Sequence, residues 1–164
     1  MFSLRPLPTT LTGKEIFYLV ATWFHAGRIR PVSGTWGSLA AWPFCWILKA
    51  LGGNPLICIA IVGVFLAGLW AIRQYTPHSK QTDPSEVVVD EVVGMMVVWL
   101  AIPAGHFGLA LCGFILFRLF DAIKRGPVGW CDRRIKGPMG IMVDDVIAGL
   151  MAAAVIGVVR LILI

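Results

Sequence analysis

The sequence predicts an all-α fold: a polytopic membrane helical bundle of about five apolar segments, preceded by a short interfacial helix. Of its 164 residues, 58% are hydrophobic and only 14% are charged, which leaves too little polar surface for a water-soluble domain of this size. Apolar runs recur at roughly 38–52, 55–72, 87–103, 105–120 and 146–164. Most approach the ~20 residues that cross a bilayer as a helix. The hydrophilic stretches between them are alternately charged and bare.

Taken in order, residues 1–30 read as an N-terminal cytoplasmic or interfacial segment and 31–164 as a membrane-embedded domain. Residues 1–14 hold Arg5, Lys14 and two prolines without an apolar core, so no cleavable signal peptide is expected. Glu15-Ile-Phe-Tyr-Leu-Val-Ala-Thr-Trp-Phe24 is apolar but too short to span. The first apolar run is short and interrupted by Pro43 and Lys49, as in a tilted or re-entrant helix. The linkers at 52–55 and 103–106 carry no charge, whereas 1–36, 73–91 and 118–145 hold every Lys, Arg, Asp and Glu except Lys49 and Arg160. An excess of Lys and Arg marks the cytoplasmic side, so the N-terminus is expected inside and the C-terminus outside. Orientation alone is an equally good reading of Arg28, Arg30, Arg73, Arg133, Arg134 and Lys136.

The net charge of +5 does not point to nucleic acid, because the basic residues do not interleave with aromatics along a solvated face; short basic stretches between apolar runs suit an anionic membrane surface. Cys45, Cys58 and Cys112 fall in apolar runs and Cys131 in a hydrophilic loop. Their spacing fits neither a disulfide framework nor a zinc site, so they read as free thiols.

Acidic residues contribute little to orientation and need another reason for their positions. Asp90 and Glu91 interrupt Val87-Val-Val-Asp-Glu-Val-Val-Gly94, and Asp144-Asp145 directly precede the last apolar run. Adjacent carboxylates in apolar surroundings are costly unless paired with cations or bound to a metal. With only three histidines, none at zinc spacing, the ligand set is all oxygen and suits a hard cation such as Mg²⁺. Helix capping is the competing account. It is strongest for Asp83, because Asp83-Pro-Ser-Glu86 reads as a capping box with proline at the first helical position; Asp83 nonetheless completes the candidate ligand set of Asp83, Asp90, Glu91, Asp144 and Asp145. It explains Asp144 fairly well, but not Asp90 and Glu91, which that box would place a turn or more inside the helix.

Arg118, Asp121 and Lys124 share one helical face by their spacing of three. They form either an ion-pair ladder or a site in which Arg118 and Lys124 take phosphate oxygens and Asp121 ligates or orients. Gly34-Thr-Trp-Gly-Ser38 at the start of the first span permits close backbone approach to an anion, making Gly34, Thr35, Gly37 and Ser38 candidate substrate-binding residues. A second tight turn, Gly137-Pro-Met-Gly140, leads into Asp144-Asp145.

Together, four stretches resemble the phosphatidylglycerophosphatase A family: Gly34-Thr-Trp-Gly-Ser-Leu-Ala-Ala41, Asp83-Pro-Ser-Glu-Val-Val-Val-Asp-Glu-Val-Val-Gly94, Phe117-Arg-Leu-Phe-Asp-Ala-Ile-Lys124 and Gly137-Pro-Met-Gly-Ile-Met-Val-Asp-Asp-Val-Ile-Ala-Gly149. They stand in the family's order. Where the family usually has proline directly after the lysine, this chain has Arg125-Gly126-Pro127, which leaves the helix exit open. The resemblance implies a Mg²⁺-dependent phosphomonoesterase acting on the phospholipid phosphatidylglycerophosphate in the bacterial cytoplasmic (inner) membrane, with its active site facing the cytoplasm and a homo-oligomer compatible. Asp121, Asp145 and Lys124 are then the expected catalytic residues, and water attack and an aspartyl-phosphate fit equally well. An ion path is the rival reading of intramembrane carboxylates, but these cluster at one face instead of recurring through the depth of the bilayer.

Overall fold

The structure, a computed structural model, describes residues 2–79 and 84–163. It is mostly helical: α1 (Ile16–Ala21), α2 (Ser33–Tyr75), α3 (Val89–Trp99), α4 (Phe107–Ile123), α5 (Pro127–Arg134) and α6 (Pro138–Leu163). Two strands of two residues each accompany the helices of this all-α fold. β1 (Ser3–Leu4) pairs antiparallel with β2 (Ile29–Arg30), Ser3 opposite Arg30 and Leu4 opposite Ile29.

α2 is a hairpin and not a rod. Gly53 leaves helical geometry at φ 62°, ψ −152°, a conformation open to glycine, and Pro55 then suits the first turn of the second arm. A Cβ on Gly37 would meet the side chain of Val88, and one on Gly68 that of Val89. Along a straight helix those glycines would stand about 46 Å apart; touching neighbouring residues requires the two arms to fold back on each other. The bend is tied to the end of α3, where Lys49 Nζ donates to the Trp99 carbonyl at 3.3 Å and Asn54 Nδ2 to that of Leu100 at 3.0 Å. These bonds satisfy carbonyls that a helix C-terminus leaves open.

α3 is the centre of the bundle. All its residues are buried except the half-buried Asp90 and Glu91, as expected for a helix that is apolar all round. It packs on α2, α4 and α6. Its 11 residues span only about 16 Å, shorter than the apolar run that contains it. Among the described residues, two helices, Ser33–His78 and Pro138–Ile162, contain an 18-residue stretch long and apolar enough to cross a bilayer, with mean hydropathy 2.5 and 2.1. The outer surface is apolar, with Ile59, Val62, Leu66 and Trp70 exposed along α2 and Leu111, Ile115 and Leu119 along α4. Such extended exposed apolar stripes argue for membrane association.

Two helix starts differ from the sequence reading. The Asp83-Pro-Ser-Glu86 capping box does not open a helix: Ser85 and Glu86 form a turn, and α3 begins at Val89. Glu86 is drawn instead to Arg5 and Tyr75. Asp83 itself lies outside the described residues. The last helix begins at Pro138, after Gly137 at φ 70°, so the second tight turn forms its first turns. Asp144 and Asp145 therefore sit about two turns inside α6, while Asp90 and Glu91 occupy the first turn of α3. The capping account thus changes sides. It now covers Asp90 and Glu91 and no longer reaches Asp144 and Asp145.

Candidate active site

Four segments deliver side chains to one end of the bundle. The Val88 N–H donates to the Ala21 carbonyl at 2.9 Å, which fixes the start of α3 and turns Asp90 and Glu91 toward the first turn of α2. The last turns of α4 bring Arg118 and Asp121. Lys124 follows as the C-cap in left-handed conformation, φ 47° and ψ 43°. The helix thus exits at Lys124, and Arg125-Gly126 form the link to Pro127, the first residue of α5. α6 supplies Asp144 and Asp145.

These groups line a cleft of about 280 Å³. Arg118 Nη1 lies 2.8 Å from Asp121 Oδ2 and 3.8 Å from Glu91 Oε1. The first separation is that of an ion pair, but Nη1 makes no aligned hydrogen bond; its N–H remains available to another acceptor. Lys124 Nζ donates to Asp144 Oδ2 at 2.7 Å, and the Asp145 N–H reaches Asp144 Oδ1 at 3.2 Å. Gly34 allows this convergence, because a Cβ there would come 2.2 Å from Glu91 Oε1 and 2.9 Å from both terminal nitrogens of Arg118.

The cleft carries excess negative charge. Among the described lining residues, Asp90, Glu91, Asp121, Asp144 and Asp145 face Arg118 and Lys124, a formal charge of −3. Asp90, Glu91 and Asp145 each present an oxygen, and the three oxygens lie within 4.8 Å of one another. Asp145 is 3% exposed. Buried Glu91 Oε2 and Asp145 Oδ2 accept no hydrogen bond, a costly condition for carboxylate oxygens. An all-oxygen set with unpartnered buried anionic atoms fits a hard divalent cation.

Of the substrate-binding candidates, Gly34, Arg118 and Lys124 line the cleft and Thr35, Gly37 and Ser38 do not. The Thr35 N–H is spent on the Val32 carbonyl at 3.1 Å. Gly37 is the close-approach point against Val88, and Ser38 Oγ donates to the Gly34 carbonyl at 2.8 Å. Val32, Ser33, Ser85, Val87 and Ile141, which carry no charge, also line the cleft. Ser33 and Ser85 lay within or beside motif segments, and Ser33 Oγ donates to the Ser85 carbonyl. Nothing in the sequence marks Val32, which adopts φ 60°, an unusual conformation for a β-branched residue.

The sequence pattern of phosphatidylglycerophosphatase A matches residues 19–160. This chain belongs to the phosphatidylglycerophosphatase A family. It is 33% identical over 140 residues to the phosphatidylglycerophosphatase A of Escherichia coli K12, covering 85% of this chain and 81% of the relative. To that of Haemophilus influenzae it is 37% identical over 139 residues, 85% of each chain. A putative phosphatidylinositol-3-phosphatase of Bacteroides thetaiotaomicron is 35% identical over 149 residues, 87% of this chain and 92% of the relative. No solved structure matches. Membership of the phosphatidylglycerophosphatase A family makes the chain a phosphoric monoester hydrolase, and the cleft holds the cationic and carboxylate groups that such chemistry uses.

Proposed function

We propose that this chain removes the terminal phosphate of phosphatidylglycerophosphate, a step of phospholipid biosynthesis, in a Mg²⁺-dependent reaction at the cytoplasmic face of a bacterial inner membrane. The observation that carries the reading is the set of three carboxylate oxygens within 4.8 Å, drawn from α3 and α6 and opening on a cleft shared with Arg118 and Lys124. The names of the Escherichia, Haemophilus and Bacteroides relatives all describe lipids, and two specify this headgroup. The charged loops lie at the cleft end, and Lys/Arg excess marks that end as cytoplasmic. In this topology the two arms of α2, then α3, α4 and α6, account for the five apolar segments.

Asp90, Glu91 and Asp145 would hold the Mg²⁺, which when bound polarises the phosphoryl group and offsets its charge. Arg118 presents a planar fork to the phosphate oxygens, held by Asp121. Lys124 adds a point charge on the other side, aimed by Asp144. Both donors are fixed before substrate arrives, the arrangement that most favours developing negative charge. Gly34 lets Glu91 and Arg118 close on the α2 backbone and so positions both beside the phosphate.

The test is release of inorganic phosphate from phosphatidylglycerophosphate in detergent micelles. Turnover is expected to vanish with EDTA and return with Mg²⁺. Absence of release from this lipid overturns the substrate assignment, and full turnover after exhaustive chelation overturns the metal.

A further inference from the structure

The far end of the bundle carries a second constellation that the phosphatase reaction does not use. An apolar cavity of about 140 Å³ lies between α2, the end of α3 and the start of α4, lined by Trp42, Trp46, Trp99, Ile102, His106 and Phe107. Rise along three helices separates it from the cleft: Asp90 to Trp99 on α3, Gly34 to Trp46 on α2 and Phe107 to Asp121 on α4 each give about 14–21 Å.

The cavity is not simply greasy. Trp99 is 7% exposed, and its indole Nε1 and that of Trp42 are buried donors without an acceptor. Trp42 packs edge-on against Trp99 and Phe107, with ring centroids 6.3 and 5.6 Å away. Tryptophans of an interfacial belt place their N–H groups at the wet headgroup level; these two are enclosed, and buried donors are ordinarily satisfied. Trp42, Trp46 and Lys49 share one face of α2 by their spacing. Lys49 reaches the Trp99 carbonyl at 3.3 Å, and Arg160 stands in the last turn of α6. These are the two basic residues that the charge asymmetry leaves at the far end.

We propose that this end of the bundle binds one anionic phospholipid, with a few methylenes of one acyl chain in the indole-lined cavity, ester oxygens on the indole N–H groups and phosphate beside Lys49 and Arg160. An apolar cavity of about this size accepts a benzene-sized hydrocarbon guest, and unpartnered donors beside cations select an acceptor-rich anion. The inference rests on the membrane-spanning reading above, but its test does not depend on turnover.

The full-length protein in detergent is offered phosphatidylserine and phosphatidylcholine of identical chains, and retained lipid is counted by native mass spectrometry. The wild type is expected to keep one phosphatidylserine in preference to phosphatidylcholine. Lys49→Gln keeps a donor for Asn54 and the Trp99 carbonyl while deleting the charge. It should lower that preference about tenfold, the effect of one charge-assisted contact. The double variant Trp42→Phe/Trp99→Phe keeps both rings, deletes both donors and should do the same; it decides the matter if Lys49→Gln does not fold. Equal retention of the two lipids by the wild type overturns the site. So does a preference lost in Arg118→Gln but kept in Lys49→Gln, which would put the lipid in the carboxylate cleft.

Discussion

Gly94 and Gly149 meet backbone to backbone where α3 crosses α6: a Cβ on Gly149 would stand 2.4 Å from the Gly94 carbonyl oxygen, and one on Gly94 2.7 Å from that of Asp145. Small residues let helices approach this closely inside a membrane. Asp90 and Asp145 each stand four residues before one of these glycines, one turn away on the same face. The glycine contact therefore sets the separation of the two carboxylates. Gly149→Ala is expected to cost ~1–3 kcal/mol of stability by overpacking. It should also lower phosphate release about a hundredfold, as a ~1 Å misplacement does. Gly157→Ala on the same helix meets nothing within 4 Å and should leave activity unchanged. Thermal melting and turnover of the two variants, measured side by side, check this.

The carboxylates can be separated from helix caps by charge alone. Asp90 and Glu91 stand in the first turn of α3, where the macrodipole rewards a negative charge by only ~0.3–1 kcal/mol. Asp145 stands too deep in α6 to gain even that. Asp90→Asn, Glu91→Gln and Asp145→Asn should melt near the wild type yet lose activity by orders of magnitude. Mg²⁺ is expected to raise the melting temperature of the wild type and of none of the three variants. Near wild-type turnover by Asp90→Asn at saturating Mg²⁺ would remove it from the ligand set.

Much of this arrangement is legible in the sequence because it is set by charge. Carboxylates inside apolar runs, with cations other than Lys49 and Arg160 confined to alternate linkers, put Asp90, Glu91, Arg118, Asp121, Lys124, Asp144 and Asp145 at one end before any fold is known, and the cleft contains all seven. The reversal at Gly53 is likewise local, written in Gly52-Gly-Asn-Pro55. Helix starts are not local. Asp83-Pro-Ser-Glu86 has the pattern of a capping box, but Glu86 pairs with Arg5, far away in sequence, and the N–H of Val88 pairs with Ala21; those tertiary partners move the start of α3 to Val89. Gly37 packs on Val88, outside the cleft lining, for a related reason. A glycine that permits an anion to approach and one that permits Val88 to approach look the same in sequence.

Glu86 also yields a pH dependence. Burial opposes its ionisation, but hydrogen bonds from the Tyr75 hydroxyl and the Arg5 guanidinium outweigh burial and hold its carboxyl below the ordinary range. A carboxyl whose folded pKa is lowered stabilises the fold fully above its unfolded pKa, and the contribution disappears as pH falls through the folded value. The docking of residues 3–30 should therefore be tightest at neutral pH and loosen in acid. Glu86→Gln should melt below the wild type at pH 7, and the gap should close as pH falls below the carboxylate range. A gap that stays constant with pH would assign the effect to packing.

Lys124 combines a strained backbone with a placed charge. Its left-handed conformation is unfavourable for a side chain with an ordinary Cβ and is tolerated by asparagine. Its ammonium reaches Asp144 at 2.7 Å across the cleft. If the residue served only to end α4, Lys124→Asn would improve the cap and leave turnover intact. As a phosphate-facing cation it should instead lose about 10²–10³-fold in kcat, the range seen when one transition-state donor is removed. Lys124→Arg keeps both the charge and the backbone cost and should retain far more activity than Lys124→Asn. Measuring kcat and melting temperature together separates the two roles, because loss of a cap moves both and loss of the placed charge moves chiefly kcat. Wild-type kcat in Lys124→Asn would leave Arg118 as the cation that meets the phosphate.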